Sequence, residues 1–394
     1  MTAGWAGVCD APFEGRRVLV RADLNVPLAD GKVADDTRLC AALPTIRLLL
    51  EGGAAVVLVS HLGRPEGWDP SLSLAPVAAR LAELLEAPVE LAPGVVGDEV
   101  RARAEALSPG GVLLLENSRF EPGETANDPA LAAALAELAD LYVNDAFGAA
   151  HRAHATTEGV ARLLPGYAGL LLERELEELT QVRDDPARPF VVILGGAKVS
   201  DKVGVLARFL EVADSILIGG AMCFSFFRAQ GVATGDSLVE AAGVELARDA
   251  LHRAESSECE LLLPVDLILG RSFDAGTERR HLDGIQVPDG WMGLDVGPRT
   301  TAAYAETIVE AGTVLWNGPM GAFELEPFAA GTKGVAEAVA AAQGKTIVGG
   351  GDSAAALVAF GLADHVDWLS TGGGASLELL EGKELPGVTV LARP

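Results

Sequence analysis

Arginine and histidine side chains in the first part of this sequence occur in a pattern that suits the binding of a small, multiply charged anion. The motifs are RADLN at 21–25, HLGRP at 61–65 and HRAH at 151–154, with Arg38 and Arg119 between them. A guanidinium group is a planar fork of N–H donors that pairs in bidentate fashion with a carboxylate or a phosphate. One loop arginine alone is usually a solvated surface charge. Several arginines at one edge of a sheet indicate a binding site, because function concentrates in such loops.

Some polar residues near these arginines have a structural role as an equal alternative. Arg21 lies inside a predicted strand, so a structural role and ligand binding both stay open for it, and the same holds for His61. Asp23 and Asn25 suit a substrate hydroxyl or the orientation of an arginine. We expect His154 to be structural and Asp145 to support the arginines.

Glycine-rich segments with a few charged residues characterise the second half of the sequence. The segment GGAKVSDK at 195–202 follows a predicted strand and opens a predicted helix. Its glycines let backbone N–H groups approach a phosphate, and a helix N-terminus favours anions. Lys198 and Lys202 are four residues apart and are predicted to share a helical face, from which both could reach one polyphosphate. The spacing of a Walker A loop is absent.

The segment GGGDSA at 349–354 allows two interpretations. It matches GxGxxA and could be a dinucleotide fingerprint, but Asp352 would repel a bare pyrophosphate. A carboxylate at this position makes sense if Mg²⁺ bridges it to phosphate, which indicates a nucleoside polyphosphate. The segment TGGGAS at 371–376 is either a further phosphate-binding turn or a tight turn alone. In the segment 316–324, polar residues could contact ribose or phosphate.

Short apolar runs rich in β-branched residues position these motifs, because most of the motifs follow directly after such runs. Ligands in open α/β sheets bind beyond the carboxyl ends of the strands. Strands that alternate with alanine- and leucine-rich helices indicate parallel sheets covered on both faces. About ten strands are many for one open sheet, so we predict an α/β protein with two doubly wound, Rossmann-like domains. The predicted strands are 18–21, 54–60, 112–116, 141–144, 190–194, 215–218, 260–263, 314–316, 346–348 and 368–370.

The composition argues against some classes of binding partner and indicates a cellular location. The net charge of −26 makes nucleic acid and anionic membranes poor partners. The sequence has neither a signal-peptide pattern nor a run of about 18 apolar residues, so we expect a cytoplasmic protein. The four cysteines lack the spacing of a metal or redox motif, and we expect them to be reduced.

Taken in order along the chain, these motifs resemble the phosphoglycerate kinase family. The resemblance runs from about residue 16 to 388, and the ordered set is far more specific than any one motif. Ser118 and the segment 221–223 depart from the family's usual pattern, and the second departure leaves details of the adenine pocket open. The matching stretches are RADLNVPL (21–28), DDTR (35–38), HLGRP (61–65), ENSRFEPGE (116–124), NDAFGAAHRAHA (144–155), GGAKVSDK (195–202), WMGLDVGP (291–298), WNGPMGAFE (316–324), GGGDSAAA (349–356) and STGGGASLELLEGKELPG (370–387).

The resemblance implies two domains that face a cleft. Residues 1–170 would bind 3-phosphoglycerate or 1,3-bisphosphoglycerate, with a tail at about 380–394 packing back on them. Residues 171–188 would form a connecting helix, and residues 189–379 would bind Mg-ADP or Mg-ATP. The implied substrate-binding residues are Asp23, Asn25, Arg38, His61, Arg64, Arg119 and Arg152. The implied nucleotide-binding residues are Lys198, Lys202, Gly293, Asn317, Glu324, Gly350, Gly351, Asp352 and Ser353.

The activity that the resemblance implies is reversible phosphoryl transfer from 1,3-bisphosphoglycerate to ADP, by a monomer that closes about a hinge. Arg38, Lys198 and the backbone near Gly373 are expected to neutralise the transferring group, and Asp352 to anchor Mg²⁺ on the nucleotide. Two alternatives stay open at this point. One is a nicotinamide-dependent dehydrogenase with two Rossmann-like domains, and the other is a non-catalytic protein that binds a phosphorylated metabolite.

Overall fold

A computed structural model describes residues 4–392 of this 394-residue chain. The chain divides into two compact units. The first unit contains residues 4–177 and 384–392, and the second unit is Glu178–Lys383. Each unit is built on a six-stranded sheet in which all strand pairs are parallel. The prediction of an α/β protein with two doubly wound parallel sheets is therefore confirmed.

The sheet of the first unit has the strand order β5-β6-β4-β1-β7-β8. Its central strand β1 is buried along almost its whole length, as expected for a parallel strand covered by helices on both faces. A separate two-stranded ribbon pairs β2 with β3. The strands are β1 (Arg17–Ala22), β2 (Leu28–Ala29), β3 (Lys32–Val33), β4 (Ala55–Val59), β5 (Val89–Leu91), β6 (Val112–Leu114), β7 (Leu141–Asp145) and β8 (Gly166–Ala168).

Helix α1 of the first unit has Pro44 in its interior. Proline removes a backbone N–H donor and normally ends a helix. Here the apolar face of α1, which includes Leu39, Ile46 and Leu49, is buried in the core, and this burial outweighs the loss of one hydrogen bond. The helices are α1 (Thr37–Glu51), α2 (Ala75–Leu85), α3 (Asp98–Ala106), α4 (Pro129–Ala136), α5 (Leu170–Asp184) and, near the end of the chain, α13 (Pro386–Thr389).

Asp145 caps helix α5, and the expectation that it supports the arginines is wrong. Its Oδ1 accepts the backbone N–H groups of Leu171 (2.9 Å) and Leu172 (3.3 Å). The hydroxyl of Thr45 also bonds to this carboxyl group, and burial raises its pKa to about 7. Asp145 therefore fixes the start of the helix that leads out of the first unit.

The sheet of the second unit has the strand order β11-β10-β9-β15-β16-β17. A three-stranded antiparallel sheet, β13-β12-β14, accompanies it. Sequence patterning misses this second sheet because its strands are short and β13 consists mainly of charged and polar residues. The strands are β9 (Phe190–Leu194), β10 (Ser215–Ile218), β11 (Glu260–Leu262), β12 (Leu267–Gly270), β13 (Arg279–Leu282), β14 (Met292–Val296), β15 (Thr313–Asn317), β16 (Lys345–Gly349) and β17 (Trp368–Ser370).

Helices cover the parallel sheet of the second unit, and their apolar faces join a core around Trp316, Tyr304 and Ile308. The division between the two units falls inside α5, after Glu177. Within the described residues, no helix is long and apolar enough to span a membrane. The helices are α6 (Val203–Val212), α7 (Cys223–Ala229), α8 (Ala241–Ala254), α9 (Pro298–Val309), α10 (Ala330–Ala341), α11 (Gly351–Ala359) and α12 (Gly374–Leu380).

Candidate functional site

Arg38 lies in the first turn of α1 and is oriented by groups that follow strand β1. Its Nη1 donates to both carboxylate oxygens of Asp23 (3.1 and 3.0 Å) and to the backbone oxygen of Asn25 (3.2 Å). The side chain of Asn25 in turn accepts the N–H of Gly63 at 2.9 Å. The Arg38 side chain stays 37% exposed, so the guanidinium group is both positioned and accessible. Orienting an arginine is one of the two roles expected for Asp23 and Asn25.

Arg21 and His61 form a buried pair beneath this edge of the sheet. Arg21 is only 1% exposed, and its Nε donates to Thr156 Oγ1 at 2.9 Å. Its Nη2 lies 2.9 Å from His61 Nδ1. Since arginine can only donate, Nδ1 must accept, and the ring proton of the neutral imidazole is on Nε2. Burial and the nearby Arg21 hold the pKa of His61 well below its usual range. Of the two roles open for Arg21, its contacts indicate the structural one.

Glu124 completes this buried network. Its carboxylate accepts the hydroxyl of Thr156 at 2.6 Å and the backbone N–H of Thr156 at 3.1 Å. His154 is buried as well, and its Nδ1 lies 3.6 Å from Glu124 Oε1. These contacts give His154 the structural position expected for it.

Three arginines line one cavity of the first unit, with a volume of about 500 Å³. They are Arg64, Arg119 and Arg152, and the aromatic ring of Phe120 forms part of the wall. Arg119 donates to the backbone oxygen of Gly63. Burial and the neighbouring Arg152 lower the pKa of Arg119, which shows how closely the positive charges are gathered. The cavity is also lined by Glu66 and Glu121, so an anion would be bound by the cluster of three guanidinium groups and not by the whole wall.

The lysine-bearing segment of the second unit is a loop, and the prediction that Lys198 and Lys202 share a helical face is wrong. Helix α6 begins only at Val203, after both lysines. Close backbone contacts keep the segment out of a helix: Gly196 has φ +95°, and its N–H donates to Pro319 O at 2.9 Å. Lys198 is exposed.

Lys202 is buried, in contrast to Lys198, with 8% of its surface exposed. Its ammonium group donates to the backbone oxygen of Asn317 at 3.2 Å and also to the side-chain oxygen of Asn317. Burial lowers its pKa to about 8, although the negative charges of Asp201 and Asp352 oppose this shift. Near neutral pH the site therefore holds a buried cation whose charge can be lost a little above pH 8.

A mainly apolar cavity of about 690 Å³ opens beside this loop. Three of the nine predicted nucleotide-binding residues line it, namely Gly293, Glu324 and Asp352, together with Gly196 of the loop. Gly293 is required by packing, because a Cβ atom there would lie 2.2 Å from the ring of Phe224. Apolar walls with a few polar groups are typical of a small-molecule site. Residues of the wall that sequence reasoning missed include Phe224, Phe273, Leu238, Leu294 and Met320.

Asp295 is a buried carboxyl group in the wall of the same cavity, and sequence reasoning also missed it. It is 4% exposed and accepts the N–H groups of Val296 (2.9 Å) and of Gly331 at the start of α10 (2.7 Å). Burial raises its pKa to about 7. These contacts join β14 to α10. The motif WMGLDVGP contained the signal, but a carboxylate that bonds to backbone groups cannot be told from a ligand-binding one by sequence alone.

Helix α11 begins at the edge of the sheet with Gly350 as its N-cap, at φ +93°. Asp352 is exposed in the first turn. Ser353 is fully buried, and its hydroxyl accepts the N–H of Gly318 at 2.6 Å. This burial and this bond indicate a structural role for the Ser353 side chain.

The donor set around Asp352 bears on whether Mg²⁺ fits. Among residues 4–392, no group of three or more His, Cys, Asp or Glu side chains could hold a metal ion on its own. Mg²⁺ in phosphoryl-transfer sites is usually held by one or two carboxylates together with substrate phosphates and water. A single exposed carboxylate at Asp352 fits that arrangement.

The turn before α12 has Gly373 at its centre, with φ +54° and ψ −115°. A Cβ atom at Gly373 would meet no atom within 4 Å, so the turn faces open space. The N–H of Gly372 already donates to Ser370 Oγ at 3.2 Å. Any anion contact at this turn therefore falls to the backbone of Gly373 and the residue after it.

Comparison with known proteins gives the same family over nearly the whole chain. The family model described as "Phosphoglycerate kinase" matches residues 8–383. A phosphoglycerate kinase of Roseiflexus sp. (strain RS-1) is 55% identical over 385 residues, covering 97% of this chain and 98% of the relative. A protein of Triticum aestivum named "Phosphoglycerate kinase, cytosolic" is 53% identical over 387 residues, covering 97% of this chain and 96% of the relative.

Solved structures agree with these sequence relatives. The phosphoglycerate kinase structure from Coxiella burnetii has a TM-score of 0.89 at 40% identity, covering 99% of this chain and 100% of that chain. The structure from Pyrococcus horikoshii OT3 has a TM-score of 0.86 at 34% identity and covers 98% of each chain. These comparisons give no support to a dehydrogenase or to a non-catalytic binding protein.

Proposed function

The chain belongs to the phosphoglycerate kinase family, a family of phosphotransferases, and on that basis we propose how its residues carry out the transfer between 1,3-bisphosphoglycerate and ADP. In the direction that consumes ATP, the nucleophile is the carboxylate of 3-phosphoglycerate. Carboxylates have pKa values near 4, so this group is ionised at neutral pH and needs no general base. Positioning and charge neutralisation are what the protein must supply.

We propose that the first unit binds the phosphoglycerate. Its arginine-lined cavity suits the phosphate group, with Arg64, Arg119 and Arg152 as donors. Arg38, oriented by Asp23 and Asn25, then lies on the carboxylate side of the substrate. The neutral imidazole of His61 would donate its Nε2–H to the same substrate. The concentration of positive charge in a chain of net charge −26 supports this assignment, since an anionic substrate needs such a place.

We propose that the second unit binds the nucleotide. The apolar cavity beside Gly293 takes the base, and the exposed Glu324 at its wall contacts the ribose. Lys198, Lys202, Asn317 and the N-terminal turn of α11 at Gly350 and Gly351 hold the phosphates. Asp352 holds Mg²⁺, which neutralises phosphate charge when it is bound.

For the transfer itself, we propose that Arg38, Lys198 and the backbone at Gly373 neutralise the transferring phosphoryl group. In this proposal the phosphoglycerate-binding domain is 1–170 together with the tail at about 380–394. The connector is 171–188, and the nucleotide-binding domain is 189–379. Ligands held by separate domains must become adjacent, so bending at the connector is part of the proposal. Scattering profiles that stay the same with and without both substrates would count against it.

The match of the family model to residues 8–383 carries this proposal, and a coupled assay tests it. Purified protein receives 3-phosphoglycerate and Mg-ATP, and an added dehydrogenase reduces the product, which is followed as loss of NADH absorbance. We expect activity that disappears when either substrate or Mg²⁺ is omitted. A folded protein that binds nucleotide but shows no turnover would overturn the proposal.

We also propose that the protein acts as a monomer in the cytoplasm, without nucleic acid or membrane partners. The strong net negative charge supports the monomer, because mutual repulsion keeps such proteins apart in solution. Light scattering coupled to size-exclusion chromatography tests the monomer, and a mass near twice 40.7 kDa would contradict it.

A further inference from the structure

Lys198 lies in the exposed middle of the loop 195–202, and this part of the loop needs a contact that holds it in place. The two ends of the loop are bound to β15: the N–H of Gly195 donates to Asn317 O at 3.0 Å, and Lys202 also bonds to Asn317. Between these anchors Val199 is buried, whereas Lys198 and Ser200 are exposed. An exposed loop would place an ammonium group poorly unless a further contact restrained it.

Glu240, the residue directly before α8, provides that contact. Its Oε2 accepts the backbone N–H of Ser200 at 3.0 Å, and its Oε1 accepts the hydroxyl of Ser200. The Ser200 hydroxyl is the largest cause that lowers the pKa of Glu240, and the backbone of Val199 adds to it. The carboxylate therefore binds both donors of Ser200, in the middle of the lysine loop.

Glycine at position 243 lets this carboxylate lie close against the first turn of α8. A Cβ atom at Gly243 would lie 2.7 Å from Glu240 Oε2 and 3.1 Å from Ser225 Oγ. The carboxylate thus lies folded against the start of its own helix, which restricts its freedom. Lys198 also interacts with the negative charge of Glu240, so the same group that holds the loop attracts the ammonium group on it.

We propose that Glu240 is a positioning residue for Lys198: it holds the loop 195–202 in the conformation from which Lys198 reaches the transferring phosphoryl group. The inference rests on the proposed role of Lys198. It goes further by assigning the loop geometry to one carboxylate outside the motifs quoted above. Glu240 does not touch substrate, and its effect on the reaction passes through Lys198.

A double-mutant cycle on turnover tests this proposal, with Glu240→Ala, Lys198→Ala and the double variant. We expect Glu240→Ala to lower kcat about ten- to a hundred-fold, because misplacing a catalytic group by about 1 Å costs up to about that much. KM for 3-phosphoglycerate should not change. In the Lys198→Ala background, the Glu240 substitution should lower kcat by no more than about two-fold, since residues that act through one another are not additive.

Two further variants keep the test decisive if Glu240→Ala does not fold. Glu240→Gln retains one acceptor oxygen and should give an intermediate kcat, and Ser200→Ala should reproduce part of the loss. Glu245→Ala on the same helix is the matched control, because Glu245 is exposed and forms an ion pair with Arg248, three residues later on the helix surface. It should have wild-type kcat.

The outcomes distinguish a failure of the proposed role of Glu240 from a failure of the proposed role of Lys198. If Lys198→Ala lowers kcat and the losses at residues 198 and 240 simply multiply, Glu240 does not act through Lys198 and the inference is overturned. If the Glu240 variants fold and have wild-type kcat, it is overturned as well. Full activity of Lys198→Ala would instead remove the proposed role of the lysine, on which the inference rests.

Discussion

The two candidate edges offer different donor groups to the anionic ligands proposed for them. In the first unit the donors are guanidinium groups, of which Arg38 is oriented by Asp23 and Arg119 by the backbone oxygen of Gly63. In the second unit the donors are backbone N–H groups at glycine turns, together with two lysines, one of which is buried.

This difference has a consequence for pH. An arginine keeps its charge at any pH in which a protein folds, even where burial lowers its pKa as at Arg119. Lys202 has a pKa lowered to about 8, so its charge is sensitive to mildly alkaline conditions. The first edge should bind its anion independently of pH above neutrality, whereas the second should not.

The largest expected effect is at the arginine edge. Arg38→Ala should lower kcat at least about a thousand-fold, the scale of loss when an arginine that stabilises a transferring phosphoryl group is absent. The coupled assay measures kcat, and circular dichroism checks the fold. Arg47→Ala in the same helix is the control. Within residues 4–392, the one hydrogen bond of the Arg47 side chain is to Leu84 O, so this variant should leave kcat near the wild-type value. Equal activity of both variants would contradict the assignment of Arg38.

The corresponding change at the glycine edge should act on nucleotide binding. Asp352→Asn should raise KM for Mg-ATP about ten- to a hundred-fold, because one charge-assisted contact is worth about 1.5–3 kcal/mol. KM for 3-phosphoglycerate should stay the same. Asp364→Asn, an exposed aspartate in the same unit, is the control and should behave as wild type. A selective rise in KM for 3-phosphoglycerate would show that the two edges are assigned the wrong way round.

A smaller effect is expected from pH, which should change nucleotide binding and leave phosphoglycerate binding unchanged. Affinity for Mg-ADP should fall about three- to ten-fold between pH 7 and pH 9, as Lys202 loses its proton through a pKa of about 8. Binding should take up a proton near pH 8, which calorimetry in buffers of different ionisation enthalpy detects. KM for 3-phosphoglycerate should stay constant over this range, and Lys202→Arg should show no such pH dependence. A loss of affinity shared by both ligands would break the proposed contrast.

The smallest effect on activity is expected at Asp145, which binds no substrate in the proposal. Its folded pKa of about 7 lies above the unfolded value of 3.8, so between about pH 4 and pH 7 the folded protein holds a proton that the unfolded chain has lost. The stability that Asp145 contributes is therefore present in full below about pH 4 and is lost as pH rises through about 7.

Urea unfolding at pH 5.0 and pH 7.5 tests this sign. The free energy of unfolding of the wild type relative to Asp145→Asn should be larger at pH 5.0 than at pH 7.5, with kcat little changed. The same difference at both pH values would mean that Asp145 does not titrate in this range.

Much of the site was predictable because it follows from local pattern. All ten predicted strands occur, since each is a short, mainly apolar run and a parallel sheet buries its inner strands on both faces. The edge strands β11 and β17 are less buried. Arg64, Arg119 and Arg152 share one cavity because the loops that carry them come after strands whose carboxyl ends meet at one edge. The α/β class and the two sheets follow from the same alternation of strands and helices.

Other features could not be predicted, because they depend on contacts between distant parts of the chain. Arg21 bonds to Thr156, 135 residues away, and Lys202 to Asn317, 115 residues away. These contacts bury each cation, and burial decides its role. Helix α1 forms despite Pro44 because tertiary packing overrides local propensity.

The amino-acid sequence by itself determined the family and the fold class, because short ordered motifs and the alternation of strands and helices contain that information. It also supplied the candidate residues for the two proposed ligands. Only the tertiary structure decided which of those residues are buried and structural and which are accessible to a ligand. It placed Arg21 and Ser353 in the buried framework, turned Asp145 toward the start of α5, and separated a buried Lys202 from an exposed Lys198. The physical reason is that desolvation and hydrogen-bond partners are set by which segments pack together, and no local pattern contains that information.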